Sequence, residues 1–560
     1  MPIACAGRDL PNDSLVRTVR QIAPHARQKA EILSRSKIVD ADVIIVGAGL
    51  AGMMGAKAAC EQGAKVLLLT RKTIGLATNS AISNGVFAGP TSAYGPDAYI
   101  RDTLQIGKTL NSLPHIEAAS RGIVRAMRFL RDAGCNITET HGHYRVNPSR
   151  PDVIPGLTLM KTIAAGVKGM QGLTVQVGFH VTDILKHDSQ VCGVEGVDKT
   201  GRKIKIYAPA VILANGGAGA IYLRNDNQKR ALGQGYAMAL RSGLELRDME
   251  FVQFYPFIQA EPGIPPMLLY PPVPKSARLI NAAGEDLAAR YGLGSLNDMI
   301  LKKRDDLSAL LHEEMRSGRV YMDYRDVSPA SWAHPPLAML GKLKFDFKHK
   351  PFAVAPGAHF FMGGIRTDSQ TQTELPGLFA CGEVAWGLHG ANRRGGNALT
   401  ECMVFGHIAG SQAARWGLTH SLPGLATPAD RSNHWAFNRC SSLTRLRQSG
   451  RQIRKVAWNH AGVVRSGERL RTGLALLRKI EAIIRGVEPA TVAEYTKRAD
   501  QLGVCLVLRA IFAASLARQE SVGSFKRRDF PEELDQSRYG NSCVRYDAAS
   551  DQVSVTFTNK

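Results

Sequence analysis

Arg393 and Arg394 stand side by side in the run Leu378 to Gly406, LFACGEVAWGLHGANRRGGNALTECMVFG. An arginine fork grips a carboxylate through two parallel N–H donors, so Arg393 is suited to holding an anion. Upstream, Gly382 turns the chain and Glu383 offers a carboxylate that accepts hydrogen bonds from sugar-type hydroxyls. Downstream, Gly395 and Gly396 bring a backbone without side chains, which can approach a flat ring closely. Asn397, Ala398 and Leu399 then open a helix whose first N–H groups have no partner within it and face back into the loop. Such a helix end carries partial positive charge and stabilises negative charge developing on a neighbouring ring.

Strands and turns elsewhere must position these groups. Leu378 to Cys381 reads as a short buried strand leading into the Gly382 turn. Asp42 to Thr70, DVIIVGAGLAGMMGAKAACEQGAKVLLLT, reads as a buried strand, a G-x-G-x-x-G turn, an alanine-rich helix and a second strand. In this dinucleotide-binding βαβ unit Gly47 permits the tight turn, Gly49 lets the backbone meet a pyrophosphate, and Gly52 lets helix and strand pack closely. The unit alone does not separate FAD from a nicotinamide dinucleotide. Where many such units place an acid for the ribose, this chain has Thr70 followed by Arg71. Val181 to Val197 reads as a hairpin, Ala210 to Gly219 as a strand entering a glycine turn, and Gly233 to Ala239 as a helix start. The charged run LNDMILKKRDDLSALLHEEMRSG predicts one helix, and Ser449 to Gly486 predicts long amphipathic helices.

HGANR followed by GGN-A-L resembles the flavoprotein subunits of fumarate reductases and succinate dehydrogenases and their relatives, including L-aspartate oxidase. The resemblance runs from about Asp42 to Pro531 through several motifs in order. It implies an α/β fold: a Rossmann-like FAD-binding domain with an inserted α+β capping domain and a C-terminal helical bundle. The expected divisions are an extension over 1–40, the FAD-binding domain over 41–257 and 353–430, the cap over 258–352, and the helical domain and tail over 431–560. It also implies FAD held by the Gly47, Gly49 and Gly52 turn, by Thr70 and Arg71, and by Ser80, Asn84 and Gly85 in the Thr78 to Gly85 loop. Ala214, Gly216, Gln234, Gly382, Glu383, Asn397, Ala398 and Leu399 complete that set, with Gln234 standing where the family usually has Asp. In respiratory members the Thr78 to Gly85 loop carries a histidine bonded to the flavin. No histidine lies between Thr70 and Pro90 here, so a noncovalent, dissociable FAD is expected.

By the same resemblance, His359 in HFFMGGI and Arg393 are the substrate's anion-binding pair. Aligning KRDDLSALLHEEMRSGR with the family places Ala309 where an arginine moves the proton, and the family's other substrate residues fall on Tyr255 and near Tyr270. Alanine carries no proton, so the expected substrate is an anion, a carboxylate other than fumarate or succinate, exchanging hydride with flavin N5. Tyr255, Tyr270, Lys275 and Arg278 are the candidates to replace the lost acid, and Arg394 offers a further cation. Two rivals stay open: an adenylylsulfate-reductase-like subunit, and a flavin relay or scaffold without substrate turnover.

The chain has 560 residues, 44% of them apolar, enough for a large core. No apolar run of bilayer length is read, and the first residues lack the apolar stretch of an export signal, so a cytoplasmic protein is expected. The 9 cysteines are scattered without C-x-x-C spacing, so no metal is expected in this chain. Single electrons would then pass through an iron–sulfur partner subunit. The net charge of +23 is spread along the chain with no nucleic-acid signature, which leaves an acidic partner, an acidic substrate, or an anionic membrane reached through other subunits. Ser14 to Ser36 has a pattern compatible with a helix.

Overall fold

The structure is a computed structural model that describes residues 41–422, 442–534 and 537–558. The expected extension over 1–40, its Ser14 to Ser36 segment, and the turn signals at Pro423 and Pro428 lie outside the described residues.

Buried β-branched and leucine-rich runs build the central sheet. The chain lays down β1 (Val43–Val46), α1 (Leu50–Glu61) and β2 (Val66–Thr70), then α2 (Pro96–Ile106) and α3 (Leu113–Asp132). It continues through β3 (Leu173–Val177), a hairpin of β4 (His180–His187) and β5 (Gln190–Val197), β6 (Ala210–Leu213) and α4 (Gln234–Arg241). After a capping segment come β11 (Leu378–Ala380) and α7 (Asn397–Thr419), in the numbering that segment requires. The strands order as β11-β6-β1-β2-β3, all parallel. Every residue of β1, β6 and β11 is buried, as expected of strands covered on both faces. On one face α1 and α7 touch backbone to backbone: a Cβ at Gly410 would lie 2.1 Å from the Gly55 carbonyl oxygen. Gly410, and Gly406 where a Cβ would lie 2.5 Å from the Ala51 carbonyl oxygen, are what let the long helix that leaves the site lie flat on the βαβ unit.

The capping segment hangs on a second, antiparallel sheet. Its strands are β7 (Val252–Gln259), β8 (Arg278–Ile280), β9 (Val320–Asp323) and β10 (Phe352–Phe361), ordered β7-β10-β9-β8. The helices α5 (Leu296–Lys302) and α6 (Arg304–Glu314) bury Leu296, Ile300, Leu307 and Leu311 in a cluster with Phe257, Met322 and Phe352. One helix was expected here, and two form. The break falls at Lys303, whose φ of −133° leaves the helical region. Its cause is in the charges: Lys302 and Lys303 suit a helix C-terminus, and Asp305 and Asp306 suit the next N-terminus.

The last part of the chain packs α8 (Leu443–Ala461), α9 (Gly467–Arg485) and α10 (Val492–Ala517) on one another, with α10 against α4, and ends in the hairpin β12 (Ser542–Asp547) and β13 (Gln552–Phe557). α10 is long and apolar enough to cross a bilayer by length and composition, contrary to the sequence reading. Burial supplies the reason for its apolarity: 72% of that apolar window lies inside the molecule, with Val504, Leu508, Ile511 and Phe512 in the core.

Candidate functional site

Three parallel neighbours, β1, β6 and β11, end in register, Val46 beside Leu213 and Leu213 beside Ala380. Their glycine turns therefore open on one edge of the sheet, where α/β proteins bind ligands. The turns interlock. A Cβ on Gly47, whose φ is +115°, would sit 2.2 Å from the Ala214 carbonyl oxygen, and one on Gly217 would sit 2.1 Å from Glu383 Oε1. Yet a Cβ on Gly49, Gly216 or Gly395 would meet nothing within 4 Å. The loops are thus closed against one another, with room left on the chain at Gly49, Gly216 and Gly395.

Polar groups around that space fit a large heteroaromatic ligand. Among the described residues, Asn215 Oδ1 and Asn397 Nδ2 are buried without a hydrogen-bond partner, while Glu401 Oε2 lies 3.2 Å from His389 Nε2. Glu383 accepts from the Phe361 N–H at 3.1 Å, and burial pushes its carboxyl up to about 7. Gly396, at φ +90°, caps α7, so Asn397, Ala398 and Leu399 form the first turn and point their free N–H groups out of the helix. Ser80 opens a single helical turn and its carbonyl accepts from Ser83; Asn84 and Gly85 follow it towards the helix that starts at Pro155. Thr70 and Arg71 sit at the end of β2, but the Thr70 hydroxyl donates to the Lys72 carbonyl, and Arg71 forks onto Asp500 of α10 at 2.8 and 3.0 Å. Gln234 opens α4 and donates to the Asp500 carbonyl at 3.2 Å.

The anion grip lies at the junction with the capping sheet. Arg393 is 5% exposed and lies over the Phe360 ring at 4.6 Å. Its Nη2 and Nε donate to the neutral Gln253 Oε1 at 2.7 and 3.2 Å. Burial, and then the neighbouring Arg304, pull its guanidinium down to about 9. His359 presents Nδ1 to Asp226 Oδ2 at 2.7 Å, which fixes the ring and leaves Nε2 for another partner. Asn227 ties the same loop to the Ala358 and His359 carbonyls and to Asn79. Tyr255 packs its ring 5.6 Å from His359.

Arg304 is the residue the sequence reading missed. It begins α6, and its Nη2 donates to the Arg393 carbonyl at 3.1 Å and to Asn392 Oδ1 at 3.2 Å, while its Nε is buried without a partner among the described residues. Asn392 Oδ1 also accepts from Gln253 and from the Arg393 N–H. Ala309, expected to occupy the place of a proton-moving arginine, instead packs against the main core. The other candidates are bonded to groups outside the Arg393 grip, although the Tyr255 ring stays beside His359. Tyr255 donates to the Leu269 carbonyl, Tyr270 reaches only the Met339 sulfur at 3.9 Å, and burial pushes both phenols up. Arg278 pairs with Asp323 and Lys275 is exposed. Arg394 is held away by the Tyr94 hydroxyl at 2.6 Å, between the Tyr94 and Tyr99 rings.

Residues 42–399 match the model of an FAD-binding domain, and residues 450–559 match that of the fumarate reductase flavoprotein C-terminal domain. The chain belongs to the fumarate reductase flavoprotein family. L-aspartate oxidase of Xylella fastidiosa (strain Temecula1) is 31% identical over 529 residues, covering 90% of this chain and 96% of that one. That of Agrobacterium fabrum is 31% identical over 509 residues, 87% and 91% of the two chains. Among solved structures, FrdA of E. coli quinol fumarate reductase superposes with a TM-score of 0.79 at 25% identity, over 93% of this chain and 96% of the other. Adenylylsulfate reductase of Archaeoglobus fulgidus, at 16% identity and a TM-score of 0.68 over 93% and 96%, shares the fold. This family member is an FAD-dependent oxidoreductase, and the open edge between Gly49, Gly216 and Gly395 fits its cofactor.

Proposed function

We propose that this flavoprotein exchanges hydride between flavin N5 and a small dicarboxylate, with Arg393, His359 and Arg304 as the residues that bind and protonate it. The observation that carries this reading is the pair of cations at the domain junction. Arg393 is buried with a neutral amide and a carbonyl as its hydrogen-bond partners, and Arg304 approaches it with an unpaired Nε. Arg393 is buried and Arg304 half-buried at this junction, and among the described residues no carboxylate is bonded to either, so an anion that enters between them is stabilised.

The flavin, when bound, accepts or donates the hydride. The chain's residues do the rest. Arg393 forks onto one carboxylate, and His359, steadied by Asp226, donates to the other from Nε2. Arg304, carried on the cap, holds a proton at its guanidinium next to the reacting carbons, and the closed cap excludes water. The alignment at Ala309 argues against fumarate and succinate; Arg304 at the junction supports the opposite reading, in which the four-carbon dicarboxylates are substrates. The name of the Xylella and Agrobacterium relatives adds L-aspartate to that class. The same reading keeps FAD noncovalent, the protein cytoplasmic, and an iron–sulfur subunit as the electron-transfer partner.

Anaerobic mixing of the yellow holoprotein with L-aspartate or succinate, and of the photoreduced protein with fumarate, tests it. Bleaching or reoxidation of the flavin by at least one of the three is expected. If none exchanges electrons while oxygen still reoxidises the photoreduced flavin, the dicarboxylate reading falls.

A further inference from the structure

The end of β2 lacks the acid that a dinucleotide site uses for its ribose, and another part of the chain delivers one there. From Thr70 to Asn79, TRKTIGLATN, there is no Asp or Glu. The Thr70 hydroxyl is committed to Lys72, donating to its carbonyl at 2.9 Å and accepting from its N–H at 3.3 Å. Asp500, in the middle of α10, comes to this strand end from 429 residues away in sequence, forked onto Arg71 with Oδ1 at 2.8 Å from Nη2 and Oδ2 at 3.0 Å from Nη1. His180, at the start of β4, places Nε2 at 3.0 Å from Arg71 Nη2 and 3.4 Å from Asp500 Oδ1. Gln234, opening α4, holds the Asp500 carbonyl at 3.2 Å.

These contacts bring four elements together around one residue, Asp500, with Arg71 and His180 on its carboxylate, at the strand end where a βαβ unit puts the adenosine ribose. We propose that Asp500 is the ribose-binding acid of the cofactor site, supplied by the C-terminal helical domain and aimed by Arg71. The proposal rests on the FAD site described above. A carboxylate oxygen accepts more than one hydrogen bond, so the fork to Arg71 leaves capacity for the ribose hydroxyls. Side-chain exposures of 16% for Asp500 and 24% for Arg71 leave an edge of the pair open. Arg71 supplies the countercharge that such a partly enclosed carboxylate requires. The consequence is that the C-terminal domain takes part in retaining FAD as well as in packing.

ADP and 2′-deoxy-ADP, competing with FAD for the full-length holoprotein, test this through the recovery of free-flavin fluorescence. The wild type is expected to prefer ADP by about tenfold, the size of a hydrogen bond to a charged group. Asp500→Asn is expected to narrow that preference to within about twofold and to speed FAD release. Equal competition by the two nucleotides on the wild type overturns the assignment without any substitution. So does an Asp500→Asn protein that weakens both equally and keeps the preference. If ADP displaces no FAD at any concentration, or the protein holds none, the cofactor site itself is misplaced.

Discussion

Arg304 Nη2 lies 3.1 Å from the carbonyl oxygen of Arg393, joining the first turn of a cap helix to the loop that carries the buried anion grip. On the proposed function, this contact is how the cap brings a proton-holding group to the site. Arg304→Ala is expected to lower kcat by about a hundred- to ten-thousand-fold, the usual worth of a positioned acid or base, with the flavin spectrum unchanged. Ala309→Ser, on the core side of the same helix, is expected to change kcat by less than about twofold. Steady-state kinetics with whichever dicarboxylate bleaches the flavin measures both.

Arg393 engages Gln253 through two N–H groups and stacks on Phe360, so its fork is oriented before substrate arrives. Lysine keeps the charge but loses the fork. Arg393→Lys is therefore expected to raise KM by about ten- to a hundredfold. Loss of bound flavin in this variant, rather than of substrate affinity, would place Arg393 in the cofactor site instead.

Gly49 and Gly52 separate cofactor binding from folding. A Cβ at Gly49 meets no atom of the chain within 4 Å, whereas one at Gly52 would lie 1.9 Å from the Gly47 carbonyl oxygen. Gly49→Ala is expected to leave the melting temperature of the flavin-free protein almost unchanged while weakening FAD binding at least about tenfold. Gly52→Ala is expected to destabilise the flavin-free protein by several kcal/mol, as overpacking against backbone does. Thermal melts and flavin titration of the two variants decide it.

Glu383 makes the flavin-free protein less stable as pH rises. Burial raises its carboxyl to about 7 from an ordinary value of 4.5. Between those values the folded protein binds more protons than the unfolded chain, so unfolding free energy falls with pH, and above about 7 the penalty is constant. Its size is at most about 3 kcal/mol. Asp248, raised to about 7 by burial and by Glu250, adds a loss of the same sign. Glu383→Gln is expected to flatten the fall in melting temperature between pH 5 and 7 and to leave the Asp248 share. An unchanged slope would remove Glu383 from the account.

Much of the cofactor edge was legible because its parts are local. A glycine turn after a buried strand, as at Gly47 or Gly382, needs only neighbouring residues to define it, and the strands that carry those turns are short apolar runs. Arg393 and His359 stand out as candidates for the same reason, each inside a longer motif. The proposed proton-moving residue, Arg304, was not legible. A continuous charged helix from Leu296 to Gly318 puts Arg304 mid-helix, and only the break at Lys303 makes it the first residue of a helix aimed at the junction. The KKRDD charge pattern held the signal, read as two helix ends meeting.

By itself the sequence determined the dinucleotide-binding unit, the glycine turns and the buried cation at Arg393, because strand burial and backbone freedom depend on residue type and spacing. Only the tertiary structure decided that Arg304 stands beside Arg393, that His359 is steadied by Asp226, and that Asp500 reaches Arg71. Those pairs join elements 89, 133 and 429 residues apart. Side-chain charges at such separations carry no pattern along the chain, and packing of the cap and the C-terminal helices against one sheet is what brings them into contact.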